Sequence, residues 1–284
     1  MRLKYGKSGY ILTRILIFLV LIAILFPLIW IVSLSLRHEN QIYESYGYVI
    51  PKHPTFENFP KAVNYVQDKL KLSFLRMFGN SALVTFSSIG IAIFFAILGG
   101  YGFANFRFKG KATIFNSIVL SMMIPVQIIL IPIFYLFSKL NIKDTLSLIL
   151  IYAALGIPIS VLILRGFFEQ IPEELRDASK IDGANELQHL VKVVLPLSKP
   201  AIASCIIFLF LQIWNEFLLA LVFIPSGKWQ TLPEAISKIG GGQYVVPWGI
   251  YSASIVIASL PVLIIFSIFQ RWFIEGVTLG ALKG

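Results

Sequence analysis

The chain has 284 residues and a formal net charge of +10, with 57% hydrophobic and only 13% charged residues. Soluble domains carry roughly 25% charged residues, so this chain has too little polar surface to cover a water-soluble globule of its length. The composition therefore excludes a soluble domain and predicts an integral membrane protein with one membrane domain.

The distribution of the charges and of the metal-ligand residues excludes two further classes. A nucleic-acid-binding protein carries its Lys and Arg on a basic face, whereas here they lie between apolar runs, where membrane topology and anionic lipid explain them. The histidines His38, His53 and His189 have no metal-ligand spacing, and the single cysteine, Cys205, lies within an apolar run. We expect no nucleic-acid partner, no metal site and no internal disulfide.

Six apolar runs are long enough to cross the hydrocarbon core, which takes about 20 helical residues. We therefore predict an all-α integral membrane fold with six transmembrane helices. Prolines in the third, fourth and sixth runs predict helix kinks. Residues 1–77 would form an N-terminal anchor span and an external loop, and residues 78–284 a core with five spans. The predicted spans are 11–36, 78–103, 112–137, 146–168, 201–224 and 248–273.

The orientation follows from the Lys and Arg residues of the short loops, which accumulate on the cytoplasmic side of membrane proteins. They are most frequent before the first span, between the second and third, and between the fourth and fifth. This bias predicts a multi-pass protein of the cell membrane with both termini in the cytoplasm.

A polar loop, residues 171–200, separates the fourth and fifth spans and carries signals for two short helices. Pro172 suits the first helical position, and acidic residues, including Glu174, follow in the first turn. Gly183 can take the positive φ that ends a helix. A second helix from about Asn185 would stop before Pro196. The loop is either a solvated amphipathic loop with an ordinary cap, or a compact knob with small residues at its tip that enters a cleft on another protein.

Glu216 is the acidic residue well inside a predicted span, and a charge at that depth is costly unless it has a function. Three hypotheses remain open: it holds helices together by hydrogen bonds, it lines a solute path, or it couples transport to protons. Trp214 and Phe217 could present rings to a sugar, and Asn215 adjoins the carboxylate.

The segment between the fifth and sixth predicted spans contains Gln230, Thr231, Leu232 and Pro233, and then the glycines 240–242. It is either a plain connecting loop or a flexible finger. No Walker A sequence, HExxH motif or GxSxG elbow occurs in the chain. We therefore expect neither catalytic residues nor nucleotide hydrolysis by this chain.

The polar loop resembles the EAA loop of ABC-importer permeases. That pattern is Glu-Ala-Ala, three residues, Gly, nine residues, and Ile-x-Leu-Pro. Every spacing is kept here, with Asp177-Ala178-Ser179, Gly183, Val193 and Leu195-Pro196. The replacements are close in size or charge, although Asp177 reaches about one methylene less far than Glu.

The resemblance to maltose-type carbohydrate permeases, and to their smaller permease subunit, extends over almost the whole chain. It includes residues 100–110, Met123-Ile-Pro125-Val-Gln127, the 214–217 segment and the C-terminal tail 270–284. It implies a type I importer fold, a second homologous permease, two ATPase subunits that bind ATP and Mg²⁺, and an extracellular sugar-binding protein. This chain itself would bind no cofactor, and alternating access would move a sugar through the bilayer.

The same resemblance assigns roles to particular residues. The 230–233 segment would face the binding protein, and Trp214, Asn215, Glu216 and Phe217 would contribute to the solute path. Three rivals stay open: an ABC permease for a non-sugar solute, an ion-driven secondary transporter, and a membrane scaffold without transport. The ATPase-coupling positions would be Glu174, Asp177, Ala178, Ser179, Asp182, Gly183, Leu195 and Pro196.

Overall fold

The chain is helical wherever the structure describes it as regular. The computed structural model describes residues 7–44, 49–225, 227–240 and 246–281, and none of these lies in a β-strand. A π-helical turn, Leu190–Val194, joins α9 to α10. The helices are α1 (Lys7–Ser35), α2 (Glu39–Glu44), α3 (Asn58–Leu70), α4 (Phe74–Asn105), α5 (Lys111–Ser121), α6 (Val126–Lys139), α7 (Asp144–Phe168), α8 (Glu173–Ile181), α9 (Glu186–His189), α10 (Leu195–Leu197), α11 (Lys199–Trp214), α12 (Leu218–Phe223), α13 (Leu232–Gly240) and α14 (Trp248–Ala281).

Four of these helices, α1, α4, α7 and α14, are each long and apolar enough to cross a membrane. Two bent pairs meet the same criterion only when their parts are taken together. These pairs are α5 with α6, which meet at 99°, and the segment Glu186–Leu197 with α11, which meet at 76°. With each pair counted as one span, the described residues hold up to six spans, and the predicted all-α membrane fold is confirmed.

Two of the predicted spans are broken rather than continuous. The third was expected to be a kinked helix, but α5 ends at Ser121 and α6 begins only after Pro125, whose ψ of 131° is extended. The fifth was expected to run from 201 to 224, but α11 ends at Trp214 and α12 begins at Leu218. Pro125 gives a local reason for the first break, because the residue before a proline is also kept out of the helical conformation.

The chain packs as two compact units, each built from two separate segments. The first unit contains residues 1–74 and 235–260. Within it, the amide of Asn58 donates to the carbonyl oxygens of Ser35 and Arg37, at 2.9 and 2.6 Å, where α1 has ended. The backbone N–H of Trp248 donates to Glu39 and thereby ties the start of α14 to α2. The first unit therefore includes part of the last span as well as the predicted N-terminal anchor.

The second unit contains residues 75–234 and 261–284, and small residues allow close helix packing inside it. A Cβ on Gly100 would lie 3.2 Å from both the backbone nitrogen of Arg165 and the Cβ of Leu164. A Cβ on Gly156 would lie 2.9 Å from Leu209 and 3.3 Å from Ala92. Glycine at these positions therefore lets α4, α7 and α11 approach closely, as is common for helices in membranes.

This close approach predicts different effects of substitution at two neighbouring glycines of α4. We expect Gly100→Ala to lower the free energy of unfolding by roughly 1–3 kcal/mol, because backbone atoms of α7 cannot move aside easily. Gly102→Ala is the matched control, because a Cβ there meets no atom within 4 Å. Equilibrium unfolding of the detergent-solubilised protein measures both, and equal stability of the two variants would contradict the packing argument.

Candidate functional site

The polar loop folds into two short helices joined at Gly183. α8 begins at Glu173. Pro172 was predicted at the first helical position, but it lies just before the helix, in the cap position, with a ψ of 135°. Glu173 and Glu174 lie in the first turn, where carboxylates interact favourably with the helix dipole.

Gly183 ends α8 with a φ of 78°, as the sequence predicted. Its N–H donates to the carbonyl of Lys180 at 3.0 Å, and the N–H of Ala184 donates to the carbonyl of Ser179 at 2.9 Å. These two hydrogen bonds form a Schellman motif, which satisfies the last carbonyls of the helix and reverses the chain.

The second helix begins with a capping box and runs further than predicted. The side chain of Asn185 accepts from the N–H of Gln188 at 2.8 Å, and the side chain of Gln188 accepts from the N–H of Asn185 at 2.9 Å. The helix was expected to stop before Pro196, but α10 includes this proline. The π-helical turn before α10 changes the hydrogen-bond spacing, so the missing N–H of Pro196 does not end the helix.

Glu186 ties the polar loop to the end of α4. One carboxylate oxygen accepts from the hydroxyl of Tyr101 at 2.6 Å, and the other accepts from the guanidinium of Arg176 at 2.7 Å. Arg176 also donates to the carbonyl of Asn105 at 3.1 Å. The hydrogen bond to Glu186 raises the pKa of Arg176. Since Tyr101 and Asn105 belong to α4, these bonds join α8 and α9 to a long helix.

Ser179 lies on α8 and contacts the second short helix through His189. Its hydroxyl donates to the carbonyl of Leu175 at 2.7 Å, and its Oγ lies 2.9 Å from Nδ1 of His189. Both Ser179 and His189 are buried. Because the one hydroxyl proton of Ser179 is donated to Leu175, Nδ1 of His189 must supply the proton for their contact.

The other coupling positions lie on the surface of the polar loop. Leu195 is half-buried, and the rest are exposed, namely Glu174, Asp177, Ala178, Asp182, Gly183 and Pro196. The sequence analysis did not single out two large apolar neighbours on this surface, Ile181, which is 87% exposed, and Leu187, which is 64% exposed. The sequence signal for this surface was a large apolar residue, Ile181, two positions before the glycine of the EAA-like pattern.

Glu216 lies in the three-residue break between α11 and α12. Its carboxyl group accepts from the hydroxyl of Tyr152 on α7 at 2.5 Å. It also accepts from the N–H of Leu219, at 2.9 and 3.2 Å from its two oxygens. Glu216 therefore caps the first turn of α12 and joins α12 to α7, which is the first of the three hypotheses.

The neighbours of Glu216 are placed differently from one another. Trp214 is only 3% exposed and packs between Phe210 and Phe78, at ring-centroid distances of 5.4 Å in each case. Asn215 is exposed, and its amide donates to the carbonyl of Leu211 at 2.7 Å. Phe217 is exposed. In this conformation Trp214 belongs to the core of the second unit and presents no face to a solute.

A cavity of about 640 Å³ opens beside Glu216. Side chains near the break between α5 and α6, from α7 and from α11 line it. Its walls are mostly apolar, and Tyr152, Gln212 and Glu216 are among the polar residues that line it. A largely apolar cavity with a few convergent polar groups is the usual form of a small-molecule site.

The segment around Gln230, for which a plain connecting loop and a flexible finger were both open, is hydrogen-bonded to α4. The amide of Asn80 donates to the carbonyl oxygens of Lys228 and Gln230, both at 2.9 Å, and Ser81 accepts from the N–H of Leu232 at 2.8 Å. Gln230, Thr231 and Leu232 are buried, and Pro233 is half-buried. Their contact with a binding protein stays a prediction, and Gly241 and Gly242 lie outside the described residues.

The part of the chain that the structure describes contains no group of three or more His, Cys, Asp or Glu side chains able to hold a metal ion. Cys205 is buried.

The chain is similar to a family of membrane transport proteins and to individual permeases. A family model described as "Binding-protein-dependent transport system inner membrane component" matches residues 88–278. The sulfoquinovosyl glycerol transport system permease protein of Agrobacterium fabrum is 35% identical, over 92% of this chain and 89% of its own length. The arabinooligosaccharides transport system permease protein of Halalkalibacterium halodurans is 32% identical, over 97% of each chain.

Two solved structures share the fold. One is a bacterial ABC transporter involved in the import of the acidic polysaccharide alginate, with a TM-score of 0.80 over 95% of this chain and 99% of that chain, at 23% identity. The other is a bacterial alginate ABC transporter in complex with an alginate pentasaccharide-bound periplasmic protein, with a TM-score of 0.67 over 93% and 94% of the two chains, at 16% identity.

The hydrogen bonds of Glu186 predict that the polar loop opens more readily when this carboxylate is removed. Glu186→Ala removes the acceptor shared by Tyr101 and Arg176, so we expect faster hydrogen–deuterium exchange in residues 173–189. The increase should correspond to about 1 kcal/mol, because the ion pair is partly exposed to solvent. Glu173→Ala is the matched control on the exposed first turn of α8. Exchange in Glu186→Ala that matches the wild type would contradict the role of Glu186.

Because Glu216 accepts hydrogen bonds from Tyr152 and Leu219, we expect substitutions of Glu216 and Tyr152 to lower stability by different amounts. Glu216→Ala should lower the free energy of unfolding by about 2–3 kcal/mol, because it removes a helix cap and leaves the hydroxyl of Tyr152 without its acceptor. Glu216→Gln keeps one acceptor oxygen and should cost less. Tyr152→Phe should lose the cross-helix bond alone. Equilibrium unfolding measures the series, and wild-type stability in Glu216→Ala would contradict the capping role.

Proposed function

The chain belongs to the family of binding-protein-dependent transport system inner membrane components, and we propose that, as a permease subunit of an ATP-driven importer, it carries a sugar across the membrane. The two relatives described above are permeases for a sulfoquinovosyl glycerol and for arabinooligosaccharides. Both solutes are glycosides, and both relatives match this chain over at least 89% of their own length.

The cavity beside Glu216 supports a polyhydroxylated solute. The carboxyl of Glu216 and the side chains of Gln212 and Tyr152 offer hydrogen-bond acceptors and donors in a mostly apolar lining. Sugars combine hydroxyl groups with apolar C–H faces, so this lining suits them. We assign Glu216 to the solute path on this ground. Asn215 and Phe217 do not line the cavity, and their place on the path rests on their exposure beside Glu216.

The surface of the polar loop is the observation that carries the coupling role. Ile181 and Leu187 are exposed apolar side chains on the polar loop, and exposed apolar surface of this kind suits a protein–protein contact. Asp177, Ala178 and Asp182 lie on the same surface. This surface docks into a cleft of an ATPase subunit, and the ATPase cycle moves the loop.

The bonds of Glu186 give that movement a route into the membrane. A change in the ATPase dimer biases the permease only if the loop moves with the helices. Glu186 and Arg176 fasten the loop to α4, so a displacement of α8 is passed to a span.

The remaining parts of the transporter follow from this role. A second homologous permease completes the path, and two ATPase subunits bind ATP and Mg²⁺, so this chain needs no cofactor. A sugar-binding protein delivers the solute on the outer face, where the 230–233 segment meets it. The polar loop and both termini lie in the cytoplasm, as the distribution of Lys and Arg predicts.

Reconstitution tests this function directly. The chain is co-expressed with the second permease, ATPase and binding protein encoded near it, and the complex is placed in proteoliposomes. Uptake of a radiolabelled sugar should require both internal ATP and the binding protein. Uptake driven by an ion gradient without ATP, or no uptake of any sugar that the binding protein holds, would overturn the proposal.

The positive φ of Gly183 predicts that a valine and an asparagine at this position affect transport activity to different extents. Gly183→Val forces a β-branched residue into the left-handed region at a cost of about 1–2 kcal/mol, so binding-protein-stimulated ATPase and uptake should both fall. Gly183→Asn should retain more activity, because Asn tolerates this conformation. Open space surrounds a Cβ at this position within the chain, so no clash inside the subunit contributes to the difference. Equal activity of the two variants would count against the coupling role.

A further inference from the structure

A second and much smaller space also borders Glu216. Its volume is about 10 Å³, and five of the residues that line it carry polar side chains. These are Ser81 and Thr85 from α4, Tyr152 from α7, Glu216 from the break between α11 and α12, and Thr231 from the segment 228–234. This segment, a turn that runs into the first residues of α13, is called the 228–234 turn. Tyr152 and Glu216 line both spaces.

The buried hydroxyl group of Thr231 needs a hydrogen-bond partner beside this void. The residue is 5% exposed, and its Oγ1 has no hydrogen-bond partner among the residues that the structure describes. A buried hydroxyl without a partner costs free energy, and buried polar atoms in proteins are almost always bonded to protein or to ordered water.

The size and chemistry of the space match one water molecule. A void of roughly 10–15 Å³ of probe volume holds one water if two to four polar groups surround it. The carboxyl of Glu216 has acceptor capacity beyond the hydrogen bonds from Tyr152 and Leu219, because a carboxyl group offers about four lone-pair directions. A water can therefore donate to Glu216 while it accepts from the hydroxyl of Thr231.

We propose that this void holds one ordered water that joins Thr231 to the carboxyl group of Glu216. The 228–234 turn is fixed to α4 by Asn80 and Ser81, and the water fixes the same turn to the polar end of the large cavity. Thr231 is thus a positioning residue for Glu216, and it links the turn that follows α12 to the place where Glu216 meets the solute.

The water site stands on the void and on Thr231, whereas its effect on transport rests on the proposed function. When the 228–234 turn moves, the water bond shifts the carboxyl of Glu216, and the cavity changes its affinity for the solute. Loss of the hydroxyl should therefore change the solute dependence of uptake more than it changes the stability of the complex.

The first test is a map of the wild-type transporter complex at a resolution that shows ordered waters. A density peak between Thr231 Oγ1 and the Glu216 carboxyl is expected. An empty void in a map that shows other buried waters overturns the proposal, without reference to transport.

The second test compares Thr231→Val with Thr231→Ser in the reconstituted complex. The valine variant keeps the shape and removes the hydroxyl, so the KM for solute uptake should rise about fivefold to tenfold, the factor that corresponds to about one lost hydrogen bond. The serine variant should restore the wild-type KM. Ser88→Ala, which removes a buried hydroxyl of α4 that does not line the void, should leave the KM unchanged.

A Thr231→Val complex with the wild-type KM overturns the positioning role even if the water is present. An equal rise in KM for Ser88→Ala also overturns it, because the effect would then be a general cost of losing a buried hydroxyl. Failure of the wild-type complex to import any sugar would instead overturn the proposed function and leave the map to decide the water site.

Discussion

The carboxyl group of Glu216 accepts hydrogen bonds at a point where a membrane-embedded chain has stopped being helical. In a bilayer, backbone polar groups that leave a helix need partners inside the protein, because lipid offers none. α12 has only six residues, too few for a stable helix by itself, and its first turn depends on the bond from Leu219 to Glu216. The bond from Tyr152 then fixes this short helix to α7.

The polar loop uses the same device with a second carboxylate. Glu186 fixes α8 and α9 to the end of α4, as Glu216 fixes α12 to α7. The two long helices are themselves packed closely at Gly100 and Gly156. Each short element is thus bonded to a long one, and the long ones are held to each other by packing. The polar loop and the lining of the cavity are therefore connected through α4 and α7 by hydrogen bonds and close packing.

The spans and the turn at Gly183 could be predicted from the sequence, because their signals are local. Hydropathy predicted the spans, and the EAA-like spacing predicted the turn at Gly183, where a positive φ follows from the residue type. The break at residues 215–217 was not predicted, because the segment is apolar on both sides and contains neither Gly nor Pro. Glu216 itself was the available signal, but its meaning depends on Tyr152, which lies 64 residues away in the chain.

The hypotheses for Glu216 turn out not to exclude one another. A residue that holds helices together was weighed against one that lines a solute path, yet Glu216 caps α12, binds Tyr152 and borders the cavity. Its two donors leave acceptor capacity on the carboxyl group, so a solute hydroxyl or a water can bind without breaking the structural bonds. A solute that bonds to this group acts directly on the junction between α7 and α12. Under the proposed function, one side chain would therefore both bind the solute and set the relative position of two helices, so that solute binding could favour one arrangement of them.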